Sequence, residues 1–306
     1  GNGVSECIDL TLRALLNSGD EVLVPSPDYP LWSASVSLNH GKPVYYNCLP
    51  DNGFQPDPDE IRRLITPRTR AIVLINPNNP TGAVYSEDLL KAIAAIAEQH
   101  QIVVYSDEIY DDMLYGESRH IPMATLVNDT LCATFGGLSK IYRACGYRVG
   151  WVSFSGERDH AQDYLHAVEL LASLRLCANV PGQWAVQTAL GGYQSIRELT
   201  APGGRLFQSR QAIIDGVKNS RFLSLVEPSG SMYAFPAVDT SAFESFDDQA
   251  FALELLDKKH VLIAPGSSFN VPYKNHFRLT TLPTEQKMRT VFERIEEVLE
   301  SMQNNS

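Results

Sequence analysis

The sequence predicts an α/β protein with a mostly parallel sheet covered by helices on both faces, followed by a smaller α+β domain. Short apolar runs alternate with amphipathic helical segments over the first two thirds of the 306 residues. A strand that is apolar along its whole length is buried on both faces, so this alternation indicates parallel strands whose connecting helices cover the sheet. The alternation ends near residue 192, where helices and isolated strand-like runs take over.

The first part of the chain begins with a helical pattern and continues with buried strands. Glu6–Leu16 has helical spacing and is closed by the turn residues Asn17–Asp20. Ser86–His100 is the clearest helix, because its apolar residues share one face and Ser86 stands at the N-cap position. The predicted strands are Glu21–Val24, Pro43–Tyr46, Ala71–Ile75, Ile102–Tyr105, Leu131–Phe135 and Val149–Phe154.

The remaining part of the chain has a different pattern. Helices are expected from Glu157 to about Leu190 and again after Gly204. The predicted elements that follow are strands at Phe222–Val226, Met232–Val238, Val261–Ala264 and Phe277–Thr280, and helices near Gln249–Lys258 and from Thr284. We therefore predict a large domain of residues 1–192 and a small domain of residues 193–306.

Composition excludes several classes of protein. The net charge of −11 argues against nucleic acid or an anionic membrane as the main partner. The five cysteines are scattered and form no CxxC pair, so neither a metal site nor a disulfide framework is expected, and a reducing, cytoplasmic compartment is favoured. No apolar run approaches the roughly 18 residues that a membrane helix requires.

The most informative motif follows the strand Leu131–Phe135. It reads Ser139-Lys140-x5-Gly146-x-Arg148-x-Gly150. A single lysine in a loop is usually an ordinary surface residue, but five fixed positions are harder to explain in that way. The motif resembles the lysine motif of fold-type I pyridoxal-phosphate (PLP) aminotransferases. The resemblance implies that Lys140 carries the cofactor and that Arg148, helped by Ser139, holds its phosphate, chemistry that suits an amine and a bidentate guanidinium.

Two further stretches follow predicted strands. Asp107 ends the run that begins at Ile102, and the carboxyl end of a parallel strand is where α/β folds bind ligands. Its alternative role is a helix N-cap. The resemblance implies that Asp107 pairs with the pyridine nitrogen and that Tyr110 donates to the phenolic oxygen of the cofactor. Asn79, in a turn that resembles the family's Asn-Pro-Thr-Gly signature, would contact the same oxygen and the substrate carboxylate.

The resemblance assigns the remaining candidate residues. Gly3, Val4 and Ser5 precede or begin the first helix, where free N–H groups favour an anion, and they would form the phosphate cup. Tyr29 would stack on the cofactor ring, and its alternative role is that of a core or turn tyrosine. Arg278 lies in an apolar run, where a structural salt bridge is the alternative, and would bind the substrate α-carboxylate.

The stretch from Arg175-Leu-Cys177 to Val180-Pro-Gly-Gln183 resembles the alanine aminotransferase branch. The implied reaction is L-alanine plus 2-oxoglutarate giving pyruvate plus L-glutamate, in a homodimer that binds amino and 2-oxo acids. Aspartate or aromatic amino acids, and another fold-type I reaction such as a β-lyase, stay open. The family has a sizeable segment before the phosphate cup, so a truncated PLP-fold protein with weak or absent turnover is also an alternative.

Overall fold

The central feature of the computed structural model, which describes residues 1–304, is a six-stranded sheet of order β2-β1-β3-β4-β5-β6. Its strands are β1 (Glu21–Ser26), β2 (Lys42–Asn47), β3 (Thr69–Ile75), β4 (Val103–Asp107), β5 (Leu131–Gly137) and β6 (Gly150–Gly156). The pairs among β1 to β5 are parallel, and β6 is antiparallel to β5. The predicted mostly parallel sheet is confirmed.

Helices cover both faces of this sheet, as predicted. The helices of this part of the chain are α1 (Val4–Leu15), α2 (Leu31–Leu38), α3 (Pro58–Leu64), α4 (Glu87–His100), α5 (Gln162–Leu174), α6 (Val180–Gly191) and α7 (Ile196–Thr200). One apolar cluster joins α4 to the sheet through Ile93 and Val104, and another joins α1 to the opposite face through Leu12 and Tyr105. The Ser86 side chain accepts a hydrogen bond from the Leu89 N–H, so the predicted N-cap of α4 is confirmed.

A smaller C-terminal domain has its own apolar cluster, in which Phe251, Phe277 and Ile295 are almost fully buried. Its elements are α8 (Arg205–Asn219), β7 (Leu223–Ser224), β8 (Tyr233–Ala234), β9 (Ala237–Val238), α9 (Asp248–Lys259), β10 (Ala264–Pro265), β11 (Phe277–Thr280) and α10 (Glu285–Asn304). The boundary between residues 192 and 193 stays a prediction. Asn305 and Ser306, within the predicted small domain, lie outside the described residues.

Two strand predictions in this domain were wrong. Met232–Val238 is not one strand but the two short strands β8 and β9, interrupted around Pro236, whose ring nitrogen has no hydrogen to donate to a ladder. Of Val261–Ala264, only Ala264 lies in a strand, where it pairs with Arg278. Ala234, Val238, Val261 and Ile263 of these runs pack into the core of the small domain. Periodicity alone does not distinguish such burial from strand pairing. None of the helices within residues 1–304 is long and apolar enough to cross a membrane.

Candidate active site

The carboxyl edge of the sheet brings the predicted site residues together. In the parallel registers, Asp107 pairs with Ile75 of β3 and with Phe135 of β5. The turn that contains Asn79 therefore follows β3, and the loop that contains Lys140 follows β5, on either side of the Asp107 carboxylate. Three neighbouring strands end at one place, which is where open α/β sheets bind ligands.

Asp107 is the last residue of β4, and only 3% of its surface is exposed. Its Oδ2 accepts a hydrogen bond of 3.0 Å from Trp32 Nε1, and its Oδ1 accepts one of 3.4 Å from the Ile109 N–H. Burial raises the pKa of this carboxyl to about 6, because a charge is poorly solvated there. The alternative role of Asp107 as a helix N-cap does not apply, since a loop follows β4.

Trp32, fully buried in α2, was not singled out from the sequence. Replacing it with phenylalanine removes the donor to Asp107 and keeps most of the apolar packing. Loss of a hydrogen bond to the charged form raises a carboxyl pKa, so the acidic limit of PLP binding is expected to move to higher pH by about one unit. The measurement is PLP affinity as a function of pH. Trp184→Phe, at a side chain that is 81% exposed, should leave this limit unchanged.

The Arg148 guanidinium lies against the start of α1. Its Nη2 donates to the Asn2 carbonyl and to Ser5 Oγ, both at 3.4 Å, and its Nη1 donates to the Cys145 carbonyl at 3.0 Å. Gly3 has a φ of +79°, and a Cβ on it would stand 2.2 Å from Arg148 Nη2. The helix N-terminus and the guanidinium thus form one positive surface, suited to an anion.

This close approach predicts the effect of Gly3→Ala. The new methyl group must displace the Arg148 side chain, so PLP affinity is expected to fall by about ten-fold or more, as for the loss of a hydrogen bond to a charged group. The measurement is PLP binding by absorbance titration. Gly19→Ala is the matched control, because Gly19 has a φ of +88° and, apart from its neighbours in the chain, no described residue lies within 4 Å of its Cβ position. Equally weakened PLP binding in both variants would mean that backbone strain, and not displacement of Arg148, causes the loss. Wild-type affinity in Gly3→Ala would contradict the prediction.

Arg278 approaches from the small domain. Its Nη1 donates to Asn79 Oδ1 at 3.0 Å, and its Cζ lies 4.4 Å from the ring centroid of Tyr233 and 4.8 Å from that of Phe269. Its Nε is buried and has no hydrogen-bond partner within residues 1–304. The predicted alternative, a structural salt bridge, is absent from the ion pairs of the described residues. The guanidinium therefore retains donors for a further acceptor.

Lys140 and Tyr110 lie on one wall of the same cleft. The Lys140 Nζ is 6.0 Å from the centroid of the Tyr110 ring. The buried Tyr110 hydroxyl donates to the Tyr233 hydroxyl at 3.2 Å, and burial raises the pKa of Tyr110 well above its ordinary value. Glu108, the neighbour of Asp107, does not line the cleft; its Oε1 accepts hydrogen bonds from Ser106 Oγ and the Met123 N–H.

These groups surround a single cavity of about 320 Å³. Every candidate residue from the sequence lines it except Gly3, which lies behind Arg148. The lining residues are Val4, Ser5, Ile8, Tyr29, Leu31, Ile75, Asn79, Asp107, Ile109, Tyr110, Ser139, Lys140, Cys145, Arg148, Tyr233 and Arg278. The lining residues that were not predicted are Ile8, Leu31, Ile75, Ile109, Cys145 and Tyr233, and no local sequence signal placed Tyr233 at the cavity.

A fold of this topology, with an amine, a buried carboxylate and two guanidinium groups around one cleft, is the arrangement expected of an enzyme of fold type I. Residues 1–295 match the family described as aminotransferase class I and II. The chain belongs to this family and is an aminotransferase.

The relatives and solved structures that this chain resembles are longer than the chain itself, which spans 69% to 75% of them. It is 53% identical over 283 residues to the glutamate-pyruvate aminotransferase AlaA of Escherichia coli, covering 92% of this chain and 70% of that protein. It is 48% identical over 295 residues to an alanine aminotransferase of Mycobacterium tuberculosis, covering 96% and 69%. An Escherichia coli aminotransferase structure superposes with a TM-score of 0.97 at 50% identity, covering 99% of this chain and 75% of the other. An alanine aminotransferase structure from Pyrococcus furiosus gives 0.93 at 37% identity, covering 98% and 75%.

Proposed function

We propose that this protein is a PLP-dependent alanine aminotransferase, which converts L-alanine and 2-oxoglutarate to pyruvate and L-glutamate. The observation that carries the proposal is the single cavity lined by Lys140, Asp107, Arg148 and Arg278. The substrate pair rests on the relatives named glutamate-pyruvate and alanine aminotransferase, at 53% and 48% identity. Aspartate and aromatic amino acids are the competing donors.

The cavity has the groups that PLP requires. The Asp107 carboxylate would pair with the pyridine nitrogen, and the Arg148 guanidinium with Gly3, Val4, Ser5 and Ser139 would hold the phosphate. Tyr29 would face the ring, and Tyr110 and Asn79 would approach the phenolic oxygen. When bound, PLP supplies an aldehyde for the amine and a ring that accepts electrons. The buried Asp107 suits this role, because burial strengthens its attraction for a positively charged ring nitrogen.

The remaining chemistry falls to side chains of the protein. We assign Lys140 the covalent bond to the cofactor and, once it is released, removal of the proton from the substrate Cα. Arg278 would bind the α-carboxylate through its free donors, and its hydrogen bond to Asn79 would orient the guanidinium. Both alanine and glutamate carry this α-carboxylate, so Arg278 would serve each half of the reaction.

The test is reduction with borohydride after addition of PLP, followed by peptide mapping. The label is expected on Lys140, and Lys91→Ala, at an exposed salt-bridged lysine of α4, should label as the wild type does. Formation of L-glutamate from 2-oxoglutarate is then measured with L-alanine, L-aspartate or L-tyrosine as the donor, and pyruvate is measured as the product of L-alanine. A label on another lysine contradicts the cofactor assignment. Faster turnover of aspartate or tyrosine contradicts the substrate pair, and release of ammonia indicates a lyase.

We also propose that the protein is a cytoplasmic homodimer. Large apolar side chains of α5 and α6 and their connection are exposed, with Leu174, Leu176 and Trp184 each at least 80% exposed. Several large apolar side chains exposed along one part of the chain favour burial against another protein surface. The five cysteines, all unpaired in the described residues, are consistent with a reducing compartment. Light scattering of the purified protein tests the dimer, and a mass equal to one chain contradicts it.

A further inference from the structure

A polar contact joins the loop after β1 to the small domain. Asn270 Nδ2 donates to Asp28 Oδ1 at 2.9 Å and to Ser33 Oγ at 3.1 Å. Ser26 Oγ donates to the Asn270 carbonyl at 2.7 Å, and the Asp28 N–H donates to the Phe269 carbonyl at 3.0 Å. One asparagine of the small domain is therefore held by three side chains of the segment 26–33.

The contact is built around a buried carboxyl group. Asp28 has no exposed surface, its Oδ2 has no hydrogen-bond partner within residues 1–304, and burial raises the pKa of this carboxyl to about 6. A buried carboxylate is costly unless it is hydrogen-bonded. Asn270 has a φ of 53°, in the left-handed region that asparagine and aspartate enter more readily than other side chains. Both residue types thus suit this contact.

Each side of the contact adjoins a wall of the cavity. Asp28 immediately precedes Tyr29, which lines the cavity. On the other side, Asn270 follows Phe269, whose ring lies under the Arg278 guanidinium at 4.8 Å. The strand before this loop, β10, also pairs with β11 at Arg278. A shift of the loop that contains Asn270 would therefore move Arg278 in two ways, through the ring of Phe269 and through the pairing of β10 with β11.

We propose that Asp28 and Asn270 are a positioning pair, which fixes the small-domain loop so that Arg278 faces the substrate carboxylate across from Tyr29. The proposal rests on the proposed function, because it needs Arg278 to bind a carboxylate. A pair that only stabilises the fold would change the amount of folded protein. A positioning pair changes the apparent affinity for substrate in the protein that is folded.

The experiment exchanges the two side chains. Asn270→Asp keeps the backbone preference but removes the donor and sets a second carboxylate beside Asp28. Asp28→Asn combined with Asn270→Asp restores one donor and one acceptor in the opposite order. Asn52→Asp adds the same charge at an exposed position and is the control. Apparent KM and kcat are measured for L-alanine and L-glutamate, and unfolding of the PLP-free proteins is followed in urea as a double-mutant cycle that includes Asp28→Asn alone.

We expect Asn270→Asp to raise KM for both amino acids by about ten-fold with a much smaller change in kcat, as for one lost hydrogen bond to a charged group. The exchanged pair should recover most of that loss, and the unfolding cycle should be non-additive. Unchanged KM in Asn270→Asp, or no recovery in the exchanged pair, overturns the proposal. If the wild-type protein transfers no amino group, the proposed function is refuted separately, and the pair is then tested by the affinity of the folded protein for 2-oxoglutarate. Asn270→Asp should lower that affinity and the exchanged pair should restore it; equal affinity in all variants, or no binding, overturns the positioning pair.

Discussion

Lys140→Ala is expected to abolish amino transfer, with a loss of at least about 10⁴-fold in kcat/KM, because one amine supplies both the covalent attachment and the proton transfer. Borohydride reduction after addition of PLP should leave no label on the variant. Non-covalent PLP binding should persist, since Asp107 and Arg148 remain in place around the cavity. The measurements are pyruvate formation from L-alanine and mass spectrometry of the reduced protein.

Lys140→Arg tests whether activity requires the amine of Lys140 or only its positive charge. It keeps a positive charge near Asp107, but a guanidinium is not deprotonated in proteins and does not act as a base. We expect it to be as inactive as Lys140→Ala. Lys91→Ala, which breaks an exposed pair with Glu87, should retain full activity. A Lys140→Arg variant with more than about a tenth of wild-type activity would show that the lysine acts mainly through its charge, contrary to the proposed role.

The sheet could be predicted because its strands carry their own signal. β1 and β3 are buried along nearly their whole length, so each reads as a short apolar run without alternation. The small domain was harder, because its strands are two to four residues long and its apolar runs pack without pairing. The spacing of apolar residues predicts which residues are buried. It predicts which residues pair in a sheet only where the strand is long enough.

Candidate residues of the cavity were predictable where they lie close to the end of a strand. Asp107 ends β4, Asn79 follows β3 and Lys140 follows β5, so strand assignment alone places them at one edge. Trp32 and Tyr233 were missed because their contacts join distant parts of the chain; the Trp32–Asp107 hydrogen bond spans 75 residues. No local pattern encodes such a contact, since it depends on how α2 and the small domain pack. The roles assigned to the cavity residues stay predictions.

The same separation explains why the Asp28–Asn270 contact could not be predicted from the sequence. Its partners are 242 residues apart, and both lie in segments that read as ordinary turns. The cleft combines groups presented by the large-domain sheet with Arg278 from the small domain. Its geometry therefore depends on contacts between the domains as well as on the strands.

Asp107→Asn is expected to lower kcat/KM by about 10³-fold, which is the upper end of the range for loss of one buried electrostatic partner. The same substitution is expected to stabilise the PLP-free protein against unfolding. Burial raises the carboxyl pKa from 3.8 to about 6, so the folded protein binds this proton more tightly than the unfolded chain does. Ionisation of Asp107 therefore destabilises the fold as pH rises from about 4 to above 6, by about 3 kcal/mol at most. A neutral asparagine avoids this cost, and its carbonyl still accepts from Trp32.

The stability gain should consequently depend on pH. Below about pH 4 the wild-type carboxyl is protonated in both states, and the two proteins should unfold at similar urea concentrations. At pH 8 the variant should be more stable by about 1–3 kcal/mol. Asp51→Asn, at an exposed position, should show neither the gain nor the loss of activity. An Asp107→Asn variant that is less stable than the wild type at pH 8 would contradict this prediction. It would mean that the hydrogen bonds of the Asp107 carboxylate already offset the cost of its burial. A positively charged ring nitrogen would then add little stabilisation to that carboxylate.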